Sequence, residues 1–222
     1  MVSDVPYPRA LLAAGLLVGA TLHAAAPAPV IWHLDQTAKI GNAPTTALGT
    51  PRVETDAAGK TVHFNGSTDG LFMAENPLAG WPQFTVEVLF QPEEGGLPEQ
   101  RFVHIQDSVW RMMIETRLDG KGGWWLDTFL GNGTKGQPLI DPKHVHPTGQ
   151  WYWAAVSFDG RHMTHYINGE KELEADTLFG PMTAGQISLG VRQNKVYWFK
   201  GNIREVRFSP AALAPDKLQR VK

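Results

Sequence analysis

The chain of 222 residues contains no cysteine. That removes disulfides, thiolate metal ligands and thiol nucleophiles together. Neither sign of charge dominates: 20 Lys and Arg stand against 22 Asp and Glu, a formal net charge of −2. A balance so close to zero leaves no electrostatic footprint for holding a polyanion, so nucleic acid is not an expected partner. The apolar stretch Ala10–Leu22 is 13 residues long, short of the roughly 20 needed to span a bilayer as a helix. Also missing are a Gly-x-Ser-x-Gly elbow, a glycine-rich phosphate loop, an HExxH pair and an EF-hand loop. The local signatures of serine hydrolases, nucleotide binders, zinc proteases and EF-hand calcium sites are thus absent.

What is present points to a β protein behind an export signal. Arg9, the apolar stretch and the small residues Ala24, Ala25 and Ala26 have the order of a secretory leader. The expectation is a signal peptide over 1–26, a single domain over 27–222, and a secreted or periplasmic product with no membrane span. With 23 Gly, 16 Pro and 8 Trp, the chain is rich in turn formers and in residues favoured in strands. Short β-branched and aromatic runs recur: Val30–Leu34, Thr61–Phe64, Leu71–Met73, Phe84–Gln91, Arg101–Gln106, Arg111–Leu118, Gly123–Leu130, Tyr152–Phe158, Met163–Ile167, Gln186–Val191 and Gly201–Phe208. Asp119-Gly120, Asp159-Gly160 and Asn168-Gly169 supply the positive φ that tight hairpins require. One short helix is expected at Ala214–Val221, with Pro215 and Asp216 in its first turn, and 131–150 reads as a long loop.

Four segments, in order, resemble the laminin-G-like jelly rolls of the concanavalin A-like lectin/glucanase superfamily. Thr61–Leu71 (TVHFNGSTDGL) is similar to FDGSxDxV, and Phe84–Pro92 (FTVEVLFQP) to FTIExWFRP. Trp151–Gly160 (WYWAAVSFDG) with Tyr166–Gly169 (YING) resembles WHHVAxVYDG … LYVDG. Ile187–Gly190 (ISLG) followed by Phe199–Phe208 (FKGNIREVRF) resembles LxIG … FxGxIDEVRIY. The resemblance implies an all-β, two-sheet antiparallel jelly-roll sandwich, a fold that hosts lectins, carbohydrate-binding modules, glycosidases, lyases and adhesion domains. It also implies calcium as a possible rim ion, for which Asn65, Asp69 and Asn132 are the candidate donors. Two positions depart from the pattern: Arg204 stands where Asp is usual, and His165 where an inward apolar residue is usual.

Strand parity isolates a candidate site. Along 111–118, Met112, Ile114, Thr116 and Leu118 share one face and Arg111, Met113, Glu115 and Arg117 the other. Pairing with 123–130 sets Glu115, Arg117, Trp125 and Asp127 on one exposed sheet face. An indole stacks on a sugar ring while carboxylates and guanidiniums satisfy hydroxyls, the residue mixture of a saccharide site. The same residues also fit a cross-strand salt-bridge ladder beside a half-buried Trp. Trp110 and Trp198 lie beside turn residues, as does Trp81, and Arg192 and Arg101 are placed at the same rim. Trp124, Trp151 and Trp153 read as structural. His104, His144, His146, His162 and His165 read as loop and surface histidines, since nothing completes a ligand set with His144 and His146. The Glu-x-Asp-x-x-Glu signature of the glucanases is absent. The reading is therefore a secreted carbohydrate-binding or adhesive domain recognising a glycan or polysaccharide, without assigned catalytic residues. The alternatives are a glycan-cleaving enzyme with an atypical carboxylate site and a purely structural domain.

Overall fold

The structure is a computed structural model that describes Met1, residues 27–133 and residues 135–221. The leader expected over 1–26 falls, apart from Met1, outside the described residues. The first strands are β1 (Val30–His33), β2 (Lys39–Ile40), β3 (Ala43–Pro44), β4 (Thr46–Leu48), β5 (Arg52–Asp56), β6 (Gly59–Asn65) and β7 (Gly70–Met73). They are followed by β8 (Phe84–Pro92), β9 (Glu99–Gln106), β10 (Trp110–Leu118), β11 (Gly123–Asn132), β12 (Gly136–Ile140) and β13 (His146–Pro147). The last are β14 (Tyr152–Phe158), β15 (His162–Ile167), β16 (Glu170–Asp176), β17 (Gln186–Leu189) and β18 (Lys200–Ser209). One sheet runs β16-β15-β14-β8-β18-β6-β5 with β1 also on β18, and the other β12-β11-β10-β9-β17-β7-β4 with β13 also on β11. Every ladder within the two sheets is antiparallel. The result is the expected all-β jelly-roll sandwich.

The core forms where the period-two alternation of the two sheets meets. Phe84, Val86, Val88 and Phe90 of β8 point inward from one sheet, and Met112, Ile114, Trp124, Leu126 and Leu130 from the other. At the centre Phe90 stacks on Phe102 with ring centroids 4.4 Å apart, and Trp124 meets Phe90 edge-on at 5.2 Å. Phe199 joins them at 5.2 Å from Phe102. The two departures from the family pattern are both accommodated. His165 is buried between the sheets, its Nδ1 2.9 Å from the Thr128 hydroxyl. Arg204 pairs with Asp56 at 2.5 Å and lies 4.2 Å over the Trp151 ring.

Three expectations are corrected. The short C-terminal helix expected over Ala214–Val221 narrows to the 3-10 turn Pro215–Lys217, none of whose residues is buried. The loop over 131–150 contains β12 and β13, which pair on β11. Its Gly and Pro residues mask the strand pattern. Strands β2 to β5 and β16 were missed for a related reason: β5 (RVETD) is exposed throughout and β16 (EKELEAD) mostly polar, as edge strands often are.

Two measurements check this core. Phe90→Ala and Ile114→Ala should each destabilise the fold by about 2–5 kcal/mol in chemical denaturation, through the cavity each leaves. His165 is held at a pKa of about 3 by burial and then by His144. Its folded pKa lies below the unfolded one, so the unfolded chain binds the extra proton and stability falls as pH drops from about 6.5 toward 3. In that window the parent should lose about 1.4 kcal/mol per pH unit more than His165→Leu.

Candidate functional site

The site grows from the second face of β10. Across to β11 the register is Met113 with Phe129, Glu115 with Asp127 and Arg117 with Trp125. Across to β9 it is Arg111 with Gln106, Met113 with His104, Glu115 with Arg101 and Arg117 with Glu99. Direct cross-strand partners share a face, so Glu115, Arg117, Trp125 and Asp127 lie together as expected. A register shift between Ile114 and Glu115 leaves Phe102 as an extra residue in β9. That bulge turns Phe102 into the core and brings Arg101 onto the same face as His104, which simple alternation would put on opposite faces.

This face is not open. Glu115 is 1% exposed, Asp127 4% and Arg101 8%. Together with Arg111, Met113, Arg117, Phe129, Pro138 and Arg192 they line a cleft of about 280 Å³. Gly131 and Gly136 let the Phe129 ring lie against the β11–β12 ladder; a Cβ on Gly136 would run into it.

Inside the cleft the acids are neutralised by arginines in a ladder. Arg101 Nε lies 2.8 Å from Glu115 Oε2, and Arg101 Nη1 donates to Glu99 at 2.9 Å. Arg117 holds Asp127 Oδ2 through Nε at 2.7 Å and Nη2 at 2.6 Å, and reaches Glu99 as well. Burial, and then Asp127, push the Glu115 carboxyl up to about 7 against the pull of Arg101, Arg117 and Arg192. Burial also raises Asp127. His104, 1% exposed, is driven down to about 3 by burial and then by Arg192, Arg111 and Arg101. It is therefore neutral, and its Nδ1 accepts the Gln193 N–H at 3.0 Å. Neither His104 nor His165 is a surface histidine, because each is enclosed by strands that the sequence pattern does not pair.

The remaining predicted residues lie around this centre. Arg192 comes from the turn after β17. Trp125 is half-buried beside Arg117, its indole N–H buried without a hydrogen-bond partner among the described residues. Trp110 closes the end of β10, 5.2 Å from Phe179 and packed on the core with Trp81. Trp198 is half-buried and, like Trp110, does not line the cleft. Sequence reasoning passed over Arg111 and Phe129 as site residues, although the parity that singled out Glu115 and Asp127 carries them too.

Calcium is not supported. The Asp69 carboxylate accepts the backbone N–H groups of Thr50 at 2.9 Å and Asn65 at 3.2 Å, and Asn65 Oδ1 accepts those of Ser67 and Thr68 at 2.9 Å. These oxygens are committed to the turn. Among the described residues no group of three or more His, Asp or Glu is placed to hold a metal ion. His146 instead pairs with Glu172 at 2.6 Å. No helix among the described residues is long and apolar enough to cross a membrane.

Two stacked antiparallel sheets with a polar cleft on one outer face define a jelly-roll sandwich protein. The laminin G-type model of the Concanavalin A-like lectin/glucanases superfamily matches residues 65–219, and the chain belongs to that family. No curated protein matches it. Among solved structures it is similar to domain 4 of AbnA, a GH43 extracellular arabinanase from Geobacillus stearothermophilus, solved in complex with arabinotriose. That likeness has a TM-score of 0.65 and 23% identity over 84% of this chain and 94% of that one. It is also similar to the binding domain of botulinum neurotoxin DC in complex with SialylT, at TM-score 0.63 and 12% identity, covering 85% of this chain and 49% of the toxin domain. A third is the heptameric SAP-like pentraxin of Limulus polyphemus, at TM-score 0.56 and 18% identity over 70% and 77%.

The two acids of the ladder should respond differently to substitution. Asp127→Asn removes the partner that Arg117 grips through two nitrogens and should cost about 3–5 kcal/mol in chemical denaturation. Glu115→Gln imitates the protonated acid. Because the folded pKa of Glu115 lies above its unfolded value, its contribution is present below about pH 4.5 and is lost as pH rises through 7. The stability of Glu115→Gln relative to the parent should therefore improve by about 1.4 kcal/mol per pH unit across that window.

Proposed function

We propose that the chain is an exported, non-catalytic carbohydrate-binding domain, one jelly roll over 27–222, that holds a glycan in the cleft of β9, β10 and β11. The observation that carries this reading is the cleft's composition: arginine and carboxylate groups fixed in a ladder stand beside the apolar surfaces of Met113 and Phe129. Fixed donors and acceptors next to an apolar floor suit a ligand that carries hydroxyls on one edge and C–H groups on its ring face. The arabinanase domain solved with arabinotriose supports the reading, since it spans nearly the same length of chain. In this proposal Glu115, Arg117, Asp127 and Arg192 contact the ligand, with Trp125 at the end of the cleft; Trp110 and Trp198 stand outside it. The glycan is the only partner the proposal requires.

A second reading, a glycan-cleaving enzyme, is favoured by one observation. Glu115, raised to about 7, sits directly across from Asp127, the kind of unequal carboxyl pair that glycoside hydrolysis uses. The ladder weighs against it, because arginines hold both carboxylates.

A soluble-glycan panel titrated calorimetrically into the domain tests both readings. Binding without depolymerisation, weakened by about 1–3 kcal/mol in Phe129→Ala, is the expected result. Chain cleavage that Glu115→Gln abolishes would establish the enzyme instead.

A further inference from the structure

The ladder leaves two of the cleft's cations over. The lining carries four guanidiniums, Arg101, Arg111, Arg117 and Arg192, against the carboxylates of Glu115 and Asp127. Arg101 and Arg117 pair with those acids and share Glu99. Among the described residues Arg111 and Arg192 make no ion pair; the acid nearest in charge to Arg111 is Glu115, beyond ion-pair distance.

Arg111 is also held in place without its in-plane donors being used. Its guanidinium lies 4.8 Å over the Phe129 ring, and its Nε is buried with no hydrogen-bond partner among the described residues. A stacked guanidinium keeps its edge free, and that edge matches a carboxylate with two parallel hydrogen bonds. Three guanidiniums are close enough to hold each other's surroundings positive: burial, Arg192 and Arg101 all depress Arg111, and the same cations act on His104. Like charges gathered in a half-buried cleft are unfavourable until an anion arrives.

We infer that the cleft recognises an acidic sugar, with the carboxylate of a uronic acid unit seated between Arg111 and Arg192. This rests on the carbohydrate-binding reading and adds its chemical class. Glu115 and Asp127, with their arginines, then face the sugar hydroxyls, and the Phe129 ring that stacks Arg111 borders the sugar ring. The two guanidiniums outside the ladder suit one carboxylate on each bound unit better than the dense charge of a polysulfated chain.

The test is calorimetric titration of the folded domain with oligomers of galacturonate, glucuronate, mannuronate and guluronate, their carboxyl methyl esters, arabinotriose and a sulfated galactan oligomer. Expected is binding of at least one uronate, weakened at least tenfold by methyl esterification and at least tenfold by raising salt from 50 to 500 mM. Arg111→Gln with Arg192→Gln should abolish the preference for acid over ester while thermal unfolding stays close to the parent's, since neither side chain is in the ladder. Arg111→Lys should restore part of it.

Each other outcome overturns the inference. Arabinotriose or the esters binding as well as the acids leaves a carbohydrate-binding domain but removes the acidic-sugar assignment. Uronate binding that the double variant does not change means the carboxylate sits elsewhere. Preference for the sulfated oligomer means the anion is not a carboxylate. If no member of the panel binds, the carbohydrate reading falls with it.

Discussion

Strand β10 has only two faces, and the sandwich fills both. Met112 and Ile114 complete the core on one side. The alternation that puts them there forces Arg111, Met113, Glu115 and Arg117 to the other. With Glu115, Asp127 and Arg101 almost fully buried, that second face does not leave these charges to water. Buried ions must be paired. The ladder running through Arg101, Glu115, Asp127, Arg117 and Glu99 is the consequence, and the two arginines outside it give the cleft its character.

The core shows the same economy of placement. The bulge that brings Arg101 round to Glu115 is also what sends Phe102 inward to stack on Phe90. One inserted residue in β9 thus builds the aromatic centre of the sandwich and the cation that anchors the cleft. His165 and Thr128 are a polar pair inside the core that stays neutral through burial. Arg204, which departs from the resembled pattern, meets Asp56 and Trp151. Both departures are absorbed by local contacts.

Most of the fold was legible because its signal is local. Period-two runs closed by Asp-Gly and Asn-Gly turns marked eleven strands, all of which form, and the hairpin at Asp119-Gly120 fixed the pairing of Glu115 with Asp127. Among the strands that escaped notice, β4, β5, β12 and β16 lie at the edges of the two sheets, where little buried surface imposes an alternation. Likewise the two acids and their two neighbours could be read from parity alone, while His104 and His165 could not be recognised as buried.

By itself, then, the sequence determined eleven of the strands and the company that Glu115, Arg117, Trp125 and Asp127 keep, because these depend on neighbours close along the chain. Only the tertiary structure decided that Glu115 and Asp127 are buried, that Arg101 joins them and that Arg192 reaches the cleft from the turn after β17. The physical reason is range. Burial depends on which distant segments fold over a face, and a bulge is settled by the fit of one strand against another. Neither leaves a mark in the spacing of residues along the chain.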